Sequence, residues 1–85
     1  MRAYRLFIKS SAEKEMNALP EAVHQRAGAK ILNLQHNPRP LGCQKLHGTD
    51  GYRIRIGDYR VLYTVEDNSG TVTIYAVAHR REAYR

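Results

Sequence analysis

Between residues 51 and 63 the chain reads Gly-Tyr-Arg-Ile-Arg-Ile-Gly-Asp-Tyr-Arg-Val-Leu-Tyr, and this stretch constrains the fold more than any other. Successive strand residues point to opposite faces of a sheet, and a Gly-Asp pair between two alternating runs signals a two-residue hairpin loop. With Gly57-Asp58 as that loop, Arg55 stands opposite Arg60, Arg53 opposite Leu62, Ile54 opposite Val61 and Ile56 opposite Tyr59. Directly opposed residues share a face. Arg53, Arg55 and Arg60 therefore fall on one side, and Ile54, Ile56, Tyr59, Val61 and Tyr63 on the other. One side is a core face. The other sets like charges against each other, which destabilises a bare sheet but is understandable if an anion sits among them. A guanidinium stays protonated, and its planar fork matches phosphate oxygens two at a time. The competing explanation is a solvated polar face of a half-buried sheet.

The rest of the chain supplies what covers the core face. Alternation at Tyr4, Leu6 and Ile8 predicts a strand. Ser10 and Glu13 have the spacing of a capping box ahead of a short helix to about Leu19, with Ala12, Met16 and Leu19 on one stripe. Pro20 suits the first turn of a second helix, whose apolar stripe is Val23, Ala27, Ile31 and Leu34 and which runs to about His36, where Asn37-Pro38-Arg39-Pro40 stops it. Gly42 to Asp50 reads as a loop anchored by Leu41 and Leu46. Strands follow at Tyr52 to Ile56, Tyr59 to Glu66 and Thr71 to Ala78, the last after an Asp67-Asn68-Ser69-Gly70 turn. His79 to Arg85 is a polar tail. The predicted class is α+β in the order β-α-α-β-β-β, with a helical hairpin on one face of a small antiparallel sheet. All of residues 1–85 form one domain.

Charge narrows the function classes. A net charge of +6 on 85 residues favours a polyanionic or acidic partner. The apolar runs fall short of the roughly 20 residues that a membrane span needs, and the apolar part of the N-terminal stretch is short for a signal peptide, so a cytoplasmic location is expected, with no membrane partner. The single cysteine, Cys43, has no partner for a disulfide or a zinc cluster and is expected to be semi-buried. His24, His36, His47 and His79 lie in separate segments without ligand spacing, and His24 is expected to be exposed. No glycine-rich phosphate loop or nucleophilic triad is present. Neither a metal nor a cofactor is expected.

The tail His79-Arg80-Arg81-Glu82-Ala83-Tyr84-Arg85 adds two adjacent arginines and a tyrosine. Arginine on phosphate with tyrosine on a base is a pattern that holds single-stranded RNA. RNA also carries its own nucleophile. The 2′-OH attacks the adjacent phosphorus once a group accepts its proton, charge on the phosphoryl oxygens is stabilised and the departing 5′ oxygen is protonated. Arginines suit the charge but are poor bases. Tyr84, whose phenolate nearby cations would favour, and His79, an imidazole, are both candidate bases, and the residues alone do not choose between them.

The string from Gly51 to Tyr63, the segment Lys45-Leu46-His47-Gly48 ahead of it and the ending His79-Arg80-Arg81-Glu82-Ala83-Tyr84 together resemble toxins of the RelE/ParE superfamily, RelE branch, along the whole chain. The resemblance implies helices packed on a small antiparallel sheet, and the toxin of a type II toxin–antitoxin pair. Its expected partners are a cognate antitoxin, as a hetero-oligomer, and messenger RNA in the A site of the ribosome with its ribosomal RNA. Such toxins cut that RNA without metal and leave a 2′,3′-cyclic phosphate. By position, Arg53 and Arg55 match the two basic residues of the central strand, which bind phosphate and favour developing charge. Arg60 matches a phosphate-binding arginine, Arg80 the arginine that stabilises or protonates the leaving oxygen, and Tyr84 the tyrosine that stacks on or orients the scissile nucleotide. Lys45, His79 and Arg81 are expected to contribute to RNA binding. Arginine stands here where some relatives carry lysine, so a lysine-base mechanism is not carried over. Two alternatives compete with the endoribonuclease: a ParE-like inhibitor of DNA gyrase that cuts no RNA, and a non-catalytic module whose basic face serves an acidic partner.

Overall fold

The computed structural model describes residues 3–79. In it, β1 (Arg5–Ile8) leads into α1 (Ser10–Asn17) and α2 (Glu21–Asn33), followed by β2 (Gln44–Lys45), β3 (Gly51–Ile56), β4 (Tyr59–Glu66) and β5 (Thr71–His79). The strands form one sheet in the order β1-β5-β4-β3-β2. β2, β3, β4 and β5 are antiparallel neighbours, whereas β1 pairs with β5 in parallel. The sheet is thus mixed rather than wholly antiparallel. Tight turns dictate antiparallel neighbours for β3-β4 and β4-β5, while no local connection fixes the direction of β1, which reaches the sheet from the far side of the helical hairpin.

Helix boundaries follow local chemistry with one exception. Ser10 does not cap α1; Lys9 occupies the cap in extended conformation without a side-chain hydrogen bond, and the Glu13 N–H is satisfied by the Lys9 carbonyl at 2.9 Å. Pro20 caps α2, where its missing N–H costs nothing. α2 ends at Asn33, and hydrogen-bonded turns carry the chain on to Asn37. His24 is half-buried rather than exposed, because its Nδ1–H donates to the Met16 carbonyl at 2.8 Å and ties the two helices together.

Both helices bury their stripes on one sheet face. Ala12 and Met16 from α1, Ala27 and Ile31 from α2 and the following Leu34 meet Ile54, Ile56, Val61, Tyr63, Val72, Ile74 and Val77, with Leu19 and Val23 partly buried against them. The Tyr63 ring is fully buried, and its hydroxyl donates to the Pro38 carbonyl at 2.8 Å. Its phenol is pushed well above its ordinary value, chiefly by burial. That hydrogen bond, with half-buried Cys43, anchors the connection between α2 and β2. Leu41 does not anchor it: this side chain is fully exposed at a relative accessibility of 105%, because it projects from the turn at Leu41-Gly42 instead of inward. Leu46 is half-buried, as expected of an anchor.

Candidate active site

The β3–β4 hairpin sets the geometry. Gly57 has φ +60° and Asp58 a negative φ, the combination of a type II′ turn, whose twist matches that of the flanking strands. The ladder it closes pairs Arg55 with Arg60, Arg53 with Leu62, Ile54 with Val61 and Ile56 with Tyr59. This is the register expected from the Gly-Asp loop. With Ile54, Ile56 and Val61 in the core, the arginines take the sheet face turned away from the helices.

There they line a pocket of about 210 Å³ with Gly42 and Gln44. β2 brings Gln44 opposite Arg53, and the Gln44 Oε1 accepts from Arg53 Nε at 2.9 Å and from Nη2 as well. Arg53 is thereby held edge-on by a neutral oxygen, which leaves its charge in place. Arg60 is buried, at 7% relative accessibility, and its Nη1 donates to the Tyr59 carbonyl at 3.2 Å. Arg55 is exposed, and its carbonyl accepts from Lys30 Nζ at 3.2 Å. One guanidinium is therefore packed, one tethered and one exposed, around a cavity able to take a phosphate-sized anion. Among the described residues, no group of three or more His, Cys, Asp or Glu side chains is placed to hold a metal.

Two further expected RNA-binding residues lie elsewhere. Lys45 pairs with Tyr52, opposite in parity to Arg53; its Nζ donates to the Thr49 carbonyl at 2.9 Å and stands 5.5 Å from the Tyr52 ring centroid. His79 ends β5 opposite Tyr59, edge-to-face at 5.4 Å, beside a hollow shared with Glu15 and Leu19 of the α1 side. Arg80, Arg81 and Tyr84 lie outside the described residues. Ala78 pairs with Arg60, so the last residue of β5 before His79 lies beside the arginine pocket. Sequence reasoning missed Gln44, since a two-residue strand is too short to show any alternation.

A network at the other end of the hairpin fixes the connection that leads to Gln44. Arg39 donates from Nη1 and Nη2 to the two carboxylate oxygens of Asp67, at 3.2 and 2.8 Å, and from Nε to the Tyr52 hydroxyl at 2.9 Å, while the Tyr4 hydroxyl donates to Asp67 at 2.7 Å. The Arg39 hydrogen bonds hold the Asp67 carboxyl below the ordinary carboxylate range. The bond to Asp67 raises the Tyr4 phenol.

The profile described as "ParE toxin of type II toxin-antitoxin system, parDE" matches residues 6–84, nearly the whole chain. The chain belongs to the RelE/ParE superfamily of type II toxins. Within it the full-length similarities point to RelE. Toxin RelE of Mycobacterium tuberculosis is 31% identical over 84 residues, spanning 96% of this chain and 87% of that protein. The archaeal RelE–RelB complex of Pyrococcus horikoshii matches with a TM-score of 0.84 at 32% identity, over 94% of this chain and 98% of that one. The isolated Escherichia coli RelE toxin matches at 0.80 and 31%, over 96% and 92%. This RelE-family toxin thus shares the fold of two helices on a five-stranded sheet with those toxins.

Proposed function

We propose that this RelE-family toxin is an endoribonuclease that cuts messenger RNA in the ribosomal A site by attack of the 2′-OH on the adjacent phosphorus. The observation that carries this is the pocket of three arginines on one sheet face. Arg53, Arg55 and Arg60 bind the scissile phosphate and stabilise the charge that develops on its oxygens, acting in a partly dehydrated site where fixed cations count for most. Guanidiniums do not accept protons. Proton transfer therefore falls to other groups: Tyr84 at the 2′-OH and Arg80 at the departing 5′ oxygen, whereas His79, edge-to-face on Tyr59 beside Glu15 and Leu19, stands on the other side of the sheet from the arginines. The work is done in the cytoplasm, where ribosomes translate.

The partner that restrains it is an antitoxin, as RelB accompanies RelE in the Pyrococcus horikoshii and Escherichia coli complexes. A groove of about 520 Å³ lined by Ala29, Lys30, Pro40, Leu41, Ile54 and Arg55 shares Arg55 with the arginine pocket. Its apolar floor and basic rim suit an amphipathic, acidic segment that folds as it binds. A segment seated there masks Arg55 and so blocks catalysis.

The test is to add the purified toxin to ribosomes translating a defined message and to map the new 5′ ends. Cuts confined to the A-site codon and absent from naked RNA are expected. An intact message alongside inhibited gyrase contradicts the proposal in favour of the ParE-type activity, against which the full-length RelE relatives already weigh.

A further inference from the structure

β5 carries a feature that the arginine pocket does not use. Between Leu62 and Tyr63 the pairing steps from Ala76 to Ile74, leaving Tyr75 as the extra residue of a β-bulge. A bulge re-aims side chains locally. Here Val72, Ile74 and Val77 all reach the core, and Tyr75 turns to the face that holds the arginines. It lines a hollow of about 280 Å³ with Lys9, Thr49, Asp50, Thr64 and Thr73.

Gly51 lets the Tyr75 hydroxyl pack directly onto β3 at the floor of that hollow. A Cβ there would come within 2.9 Å of the Tyr75 hydroxyl, 3.0 Å of a Leu46 methyl and 3.2 Å of the Thr49 hydroxyl. Gly51 pairs with Thr64, and Thr64 with Thr73, so the hollow lies two residues along β3 from Arg53. At a rise of about 3.4 Å per residue this is about 7 Å, comparable to one nucleotide step. Leu62 and Ala76, a neighbouring pair on the same face and both half-buried, leave a low apolar saddle between the two cavities.

From this arrangement we infer that the Tyr75 hollow is a nucleobase subsite, which receives the base of the nucleotide next to the scissile phosphate and reads its edge. The inference rests on the ribonuclease function proposed above. Unstacked RNA bases are held by aromatic rings and recognised by hydrogen bonds to their edges. Tyr75 provides the ring. The threonine hydroxyls donate or accept, and the exposed Asp50 carboxylate accepts from an exocyclic amino group, as carboxylates do with cytosine. Lys9, also exposed, faces the adjoining backbone. Burial raises the Tyr75 phenol above its ordinary value, so it remains a neutral donor.

The experiment uses ribosomes programmed with messages that differ only in the nucleotide beside the cut, and compares wild type with Tyr75→Ala, Tyr75→Phe and Asp50→Ala. The expected result is a roughly five- to hundredfold rise in KM for Tyr75→Ala, the range that loss of one stacked base implies, together with weaker discrimination among the messages. Tyr75→Phe keeps the ring but loses the hydroxyl donor, so its KM rises less than that of Tyr75→Ala while discrimination among the messages weakens. Asp50→Ala, in an exposed loop, changes the order of base preference. A folded Tyr75→Ala with wild-type KM and preference overturns the subsite. If Tyr75→Ala does not fold, an unaltered preference in Asp50→Ala overturns it instead. Absence of any cleavage by wild type overturns the ribonuclease proposal itself and is seen before a variant is made.

Discussion

Gln44 illustrates how one neutral side chain can organise a charged site. By accepting from two nitrogens of Arg53 it fixes the guanidinium in one orientation without offsetting its charge. Gln44→Ala is expected to lower kcat by about tenfold to a hundredfold through misorientation, with little change in KM. Gln44→Glu keeps the tether but adds a negative charge beside the phosphate site, so KM is expected to rise instead. Steady-state kinetics on programmed ribosomes separate the two, and equal losses in both variants would remove the positioning role. Tyr63 is the structural counterpart. Tyr63→Phe leaves the Pro38 carbonyl without its donor and is expected to cost about 1–3 kcal/mol, read from urea unfolding. None of these three roles is visible in the sequence alone: Gln44 and Pro38 sit in segments without periodicity, and Tyr63 looks like any inward strand residue.

At the scale of elements, the β3–β4 hairpin depends on Gly57 at φ +60°. Gly57→Val is expected to destabilise the protein by about 1–2 kcal/mol. The network of Arg39, Asp67, Tyr4 and Tyr52 joins the start of β1, the connection after α2, β3 and the β4–β5 turn. Because folding lowers the Asp67 pKa, its contribution is complete above the ordinary carboxylate value of about 4 and is lost as pH falls through the lower folded value. Tyr4 has the opposite sign: its raised pKa gives a contribution that is present below about 10 and lost as pH rises through the folded value. Urea midpoints measured across pH should show a plateau between these limits, and Asp67→Asn should narrow its gap to wild type at acid pH. A constant gap would contradict the ionic role. The hairpin register was legible because a two-residue loop ties parity to sequence. The bulge at Tyr75 was not, since its one trace in the sequence is that Val77 falls out of phase with Val72 and Ile74, a shift that a strand end can also produce. The parallel seating of β1 was hidden for a related reason, as its partner lies at the other end of the chain. Ser10 and Glu13 carried the spacing of a capping box, but Lys9 takes the cap and Ser10 enters the helix.

At the scale of the whole molecule, the sheet divides the work. One face packs the helices into a core, and the other presents the arginine pocket, with an apolar groove at its rim. Leu41, expected from its hydrophobicity to be an anchor, is exposed on that groove, where the proposed antitoxin segment would cover it. Leu41→Asp is expected to weaken antitoxin binding by about tenfold or more, since an apolar contact is lost and a like charge meets an acidic segment, while ribosome-dependent cleavage is kept. Titration by calorimetry with the cognate antitoxin checks this. The resemblance carried by the arginine hairpin and by the tail was legible from the start, and the family match bears it out. The enclosure of Arg60 and the tether on Arg53 emerged only when β2 and β4 were brought beside β3.

The most direct measurement is the single-turnover rate of A-site messenger RNA cleavage by Arg55→Ala and Arg60→Ala, each first shown by its urea unfolding midpoint to be folded. If the three arginines form the catalytic phosphate site, both rates fall by about a hundredfold or more, the cut position is unchanged, and the double variant loses less than the sum of the single losses in free energy. Wild-type rates in both variants would mean that the arginine face is an interaction surface and that cleavage, if it occurs, is performed elsewhere.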